Sequence, residues 1–119
     1  MDLQVTRDSV AMGDDVLAPH ARDLDLGGPV TVERVARWLA RGSYLASVHG
    51  GSTWVLREDG RALAVVAFPD SHLRDGRVTL VAGPGDPVRA KAVHVDYALA
   101  ADPEALAARL RADPAQRTR

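Results

Sequence analysis

The sequence predicts an α+β protein: a mixed or antiparallel sheet of about five to six strands, one helix packed across a face, and a C-terminal helix. Three observations carry this. Short apolar runs, alternating or continuous, recur between turn signals, as strands do. The run VERVARWLARG repeats its apolar positions with the helical period and has a start and a stop signal at its ends. Near the end of the chain, Asp102-Pro103-Glu104 has the form of a second helix start.

Taken in order, LQVTR (3–7) alternates apolar and polar residues and reads as a half-buried strand. Residues 8–19, with Gly13 among aspartates and Pro19 closing the stretch, read as a wide loop. HARDLDL (20–26) alternates again, with Leu24, Leu26 and Arg22 on one face and Asp23 and Asp25 on the other; Gly27-Gly28-Pro29 ends it. Thr31 stands at an N-cap position. Val32, Val35, Ala36 and Leu39 then form one apolar stripe, Glu33 and Arg41 suit the helix dipole, and Gly42 is placed to close the C-terminus. Trp38 sits at the edge of the stripe.

YLASV follows, then Gly50-Gly51 and the strand TWVLRE (53–58). Asp59-Gly60 between two β-rich runs signals a two-residue hairpin, because a type I′ turn needs positive φ at both central positions. RALAVVAF is almost continuously apolar, which predicts a central strand covered on both sides. SHLRDGR turns the chain into VTLVAG, GPGDPVRAK (83–91) is a loop, and AVHVDYALA reads as the last strand. In the final helix Leu106 and Leu110 fall at i, i+4. Pro114 ends it, so that residues 1–113 read as one domain and 114–119 as a frayed polar tail. The opening ββα order followed by strands, over roughly residues 1–82, resembles the β-grasp or ubiquitin-like arrangement, which hosts many unrelated functions.

Composition excludes several chemistries. The 119 residues contain no cysteine, so disulfides, thiolate nucleophiles and cysteine-based metal sites are out. A net charge of -1 gives no strong field for nucleic acid or a membrane surface, and no apolar run approaches the ~20 residues of a membrane span. MDLQVTRDSV has no signal-peptide character, and a cytoplasmic setting is expected. Lys91 is the only lysine, and alanine is abundant, a bias typical of GC-rich, actinobacterial-type genomes.

The motifs that suggest chemistry each have a plainer reading. His49-Gly50-Gly51-Ser52 has the form of an oxyanion loop, but none of the serines at 9, 43, 47, 52 and 71 lies in the G-x-S-x-G elbow such a loop would serve; a turn is preferred. The histidines at 20, 49, 72 and 94 lie more than twenty residues apart, so no helical metal-ligand pair exists. His94 and Asp96 share a strand face and would hold a metal only with a third ligand. GPGDP lacks the residues of a phosphate loop, and Arg34, Arg37 and Arg41 read as a solvated helix face.

Two function classes remain. The preferred one is a non-enzymatic protein–protein interaction module of accessory, inhibitor or immunity type, with no cofactor. Its partner would be another protein or a second copy, contacted through the long acidic loop at Asp14, Asp15, His20 and Arg22. The alternative is a small ligand- or metal-binding protein, or an enzyme with a site at a subunit interface, using His94, Asp96 or His20. A homodimer of structural role would use Trp54 or Tyr97 on an exposed strand face as anchor.

Overall fold

A computed structural model describes residues 2–7, 22–25, 27–41, 52–68, 76–83, 85–98 and 102–112. The fold is α+β, a six-stranded mixed sheet with two helices. The strands are β1 (Asp2–Arg7), β2 (Arg22–Asp25), β3 (Ser52–Glu58), β4 (Arg61–Phe68), β5 (Arg77–Leu80) and β6 (Ala92–Tyr97). Helix α1 spans Val32–Arg41 and α2 Pro103–Ala112. The sheet order is β2-β1-β6-β3-β4-β5; β1 and β6 run parallel and every other neighbouring pair antiparallel.

The local signals operate as their chemistry dictates. The Thr31 hydroxyl accepts the Arg34 N–H at 3.3 Å and its carbonyl accepts the Val35 N–H at 3.1 Å, so Thr31 caps α1. Asp102 does the same for α2, its carboxylate accepting the Ala105 N–H at 2.8 Å. Asp59 and Gly60 have φ of 51° and 81° and join β3 to β4 with Glu58 opposite Arg61. An alanine at Gly60 would meet no neighbouring atom, so its cost is the left-handed backbone alone. Gly60→Ala is therefore expected to lower stability by about 1–2 kcal/mol in urea unfolding.

The apolar stripe of α1 (Val32, Val35, Ala36, Leu39) is buried, with Ala40, against a core of Leu3, Val5, Trp54, Leu56, Ala64, Val66, Val93 and Val95. Val55, Val65 and Ala67 are buried on the opposite sheet face. Both helices pack against β4 and β5; α1 lies on the face of Ala64 and Val66, while Ala107 of α2 is buried outside that core, on the opposite face with Val65 and Ala67. The two helices expected from the sequence are both present, α1 on one face and the C-terminal helix α2 on the other. This corrects the reading of β4: it lies next to the sheet edge, and its double burial comes from the two helices rather than from a central position.

Two further expectations change. In α2 the fully buried residue is Ala107, while Leu106 and Leu110 are only half-buried; the small side chain lets the helix approach β4 closely. Trp54 is no surface anchor. It is 0% exposed, its indole N–H donates to the Ser52 hydroxyl at 3.0 Å, and its ring lies 4.9 Å from that of half-buried Tyr97.

The GPGDPVRAK loop does more than connect β5 to β6. The Asp86 carbonyl accepts the Val32 N–H and the Val30 carbonyl accepts the Val88 N–H, both at 2.9 Å, so the loop straps the start of α1. The Glu58 carboxylate accepts the N–H groups of Arg89 and Ala90, both at 2.7 Å, and fixes the other side of the strap. The wide loop 8–19, Gly42, YLASV, His49 to Gly51, the 70–75 turn and the 114–119 tail lie outside the described residues.

Candidate functional site

The register of β1, β6 and β3 sets Thr6 opposite His94 and His94 opposite Arg57, all on the sheet face away from α1. Thr6 Oγ1 lies 2.6 Å from His94 Nδ1, His94 Nε2 lies 3.4 Å from Asp96 Oδ1, and Arg57 Nε donates to Asp96 Oδ2 at 2.6 Å. Arg57 also donates from Nη1 to the Gly60 carbonyl at 3.0 Å. The predicted pair His94 and Asp96 is therefore brought together, joined by Thr6 and Arg57 in a polar ladder across three strands.

Hydroxyl, imidazole and carboxylate in this order are the components of a nucleophilic triad. Their setting differs from one. Asp96 is committed to a guanidinium, and the His94 and Asp96 side chains are each 38% exposed on the sheet face rather than enclosed in a cavity. No group of three or more metal-ligating residues exists among the described residues, so His94 and Asp96 have no third ligand there. Exposed pairs of this kind are worth about 0–1 kcal/mol. Asp96→Ala is accordingly expected to shift the urea midpoint by less than the equivalent of about 1 kcal/mol.

The other predicted contact residues separate. Asp14, Asp15 and His20 lie outside the described residues. Arg22 is exposed on the edge strand β2, with its guanidinium 5.6 Å from the centre of the Trp38 ring. The arginines of α1 also divide. Arg34 donates from Nη1 to the Gly27 and Pro29 carbonyls, both at 2.6 Å, holding the turn before the helix. Arg37 pairs with Glu33 at 3.0 Å, and Arg41 ends the helix exposed.

The feature that sequence reasoning missed is a groove of about 310 Å³ between α1 and β5. Its floor is Val78 and Leu80, both half-buried; its helical wall is Ala40; Glu33, Arg37 and Arg41 form its rim. Beside it runs the outer edge of the sheet. The Val81 N–H donates to the Leu63 carbonyl at 2.9 Å, which sets the antiparallel alternation along β5: Thr79 and Arg77 bond toward β4, while Val78 and Leu80 turn their backbone groups outward. The Gly76 N–H donates to the Ala40 carbonyl at 2.8 Å, and Arg111 donates to the Leu80 carbonyl, through Nε at 3.1 Å and through Nη2. Both ends of the edge are thus occupied. No described group meets the N–H and C=O of Val78 in the middle.

A second cleft, of about 520 Å³, is lined by Glu58, Asp59, Arg61, Asp86 and Arg89; two of its three carboxylates serve the strap, Glu58 as described and Asp86 by accepting the Gly83 N–H at 2.9 Å. No helix of the described residues is long and apolar enough to cross a membrane. No family model, curated protein or solved structure matches the chain.

Proposed function

We propose that this chain is a non-enzymatic module that binds another protein. The observation that supports this is the middle of the β5 edge: at Val78 a backbone donor and acceptor that no described group meets, beside a groove with an apolar floor. Strand addition to such an edge is a common mode of peptide recognition, with backbone hydrogen bonds supplying affinity and neighbouring pockets supplying specificity. A cytoplasmic setting and a β-grasp arrangement belong to this reading. In favour of the latter are the N-terminal β1–β2 hairpin, α1 following it, and the parallel β1–β6 pair inside the sheet. The acidic loop at Asp14 and Asp15 remains a proposed contact surface.

The test is affinity capture by the tagged protein from lysate of its source organism, with the eluate assayed for protein stoichiometry, metals and small molecules. A stoichiometric protein supports the module, and Asp14→Arg with Asp15→Arg then tests the acidic loop separately. A bound metal or metabolite without a protein overturns it. That result would favour the second reading, a ligand-binding protein or enzyme built on Thr6, His94 and Asp96, whose hydroxyl–imidazole–carboxylate order is its support.

A further inference from the structure

We infer that the α1–β5 groove binds an extended, acidic segment of a partner protein, added as a strand along β5; this rests on the protein-binding reading above. The charge around the site selects the occupant. Arg37 and Arg41 line the α1 side, Arg77 is exposed on the other face of β5, and Arg111 reaches Leu80 from α2. Among the described residues Glu33 is the one carboxylate lining the groove, and it pairs with Arg37, which leaves Arg41 to set the charge on the α1 side. An acidic segment gains from this rim, and a basic one is repelled.

Geometry fixes how the segment lies. The Val78 N–H and C=O receive one residue of the incoming strand, and alternate side chains then point to opposite faces of the extended sheet. Those on the α1 side enter the groove over Val78 and Leu80, which suits branched apolar residues. Those on the other side pass Arg77 and Thr79, which suits carboxylates. Arg111 can exchange its carbonyl partner for a carboxylate of the incoming strand. The recognised pattern is an alternation of apolar and acidic residues.

The experiment uses the full chain and a fluorescein-labelled peptide of alternating glutamate and valine, seven residues long, read by fluorescence anisotropy, with the lysine–valine counterpart as control. The acidic peptide should bind at least tenfold more tightly, and Arg41→Glu with Arg77→Glu should abolish that preference. Val78→Pro removes an outward-facing N–H at a position where an edge strand tolerates proline, and it also replaces one of the two floor side chains. It should weaken binding at least fivefold, roughly the value of the lost backbone hydrogen bond alone. Should that variant fold poorly, amide exchange in the wild-type chain gives the same information: the peptide should protect the Val78 N–H.

Equal binding of the two peptides, or an acidic peptide that neither protects the Val78 N–H nor responds to Val78→Pro, overturns the inference. If neither peptide binds while capture from lysate returns a stoichiometric protein, the groove assignment fails and the protein-binding reading stands. If both experiments are empty, that reading fails with it.

Discussion

Trp54→Ala is expected to destabilise the fold by about 3–5 kcal/mol, the cost of truncating a large buried aromatic. Against the roughly 5–15 kcal/mol that holds a domain of ordinary size, that is enough to leave an appreciable unfolded fraction at 37 °C. Trp54 is the largest fully buried side chain in a protein with only 4% aromatic residues, so the remaining core, built of valine, leucine and alanine, has little reserve with which to close the gap. Substitution also removes the ring partner of Tyr97 and the indole donor to Ser52. Trp54→Phe separates these contributions: it keeps most of the packing and should cost about 1–3 kcal/mol, the range for a buried polar group left without its partner. Urea unfolding followed by far-UV circular dichroism measures both, and Trp38 remains as an independent fluorescent reporter. A loss below about 1 kcal/mol for the alanine variant would be incompatible with the core centred on this residue.

What the sequence disclosed and what it withheld divide along sequence distance. Caps, turns and faces are set by residues within a few positions of one another, so Thr31, Asp102, the Asp59-Gly60 turn and the α1 stripe were all legible. Strand order was not, because the parallel pairing of β1 with β6 joins opposite ends of the chain. The candidate site shows the same division. His94 and Asp96 share a strand and could be read as a pair, whereas Thr6 and Arg57 reach them from 88 and 39 residues away. Glu58 reads in the sequence as an ordinary charge at a strand end; only the 85–91 strap, about thirty residues on, gives its carboxylate two N–H groups to accept. The groove was hidden for the same reason. Val78 and Leu80 read as a strand face, and nothing local says that α1 stops short of covering them. The edge they belong to was equally hidden, because β5 follows β4 in the chain as an interior strand would, and its outermost place is a property of the whole sheet.

Ala107→Asp should cost about 3–5 kcal/mol if the carboxylate stays buried, since it would be charged and unpartnered against β4. That cost falls on α2, whose hold on the sheet is narrow. The helix buries Ala107 completely and Leu106 and Leu110 only in part, and Arg111 bonds the Leu80 carbonyl. The expected result is therefore local: α2 leaves the sheet and the α1 side of the core persists. As α1 and α2 are ten residues each, the helical dichroism of the described elements should fall by about half, while Trp54 stays protected from quenchers. Release of α2 also uncovers the β4 and β5 surface beneath it and removes the guanidinium from Leu80, so a second outward carbonyl joins the open groups of Val78 on an edge now backed by apolar surface. Such an edge is a template for pairing with other chains. The variant should associate with rising concentration in analytical ultracentrifugation, and Val78→Pro in the same background should suppress that association by removing the outward N–H. Association without loss of helix would mean that α2 stays in place and that its Arg111 contact does not guard the edge. Loss of helix without association would mean that the β5 edge is closed by something other than α2.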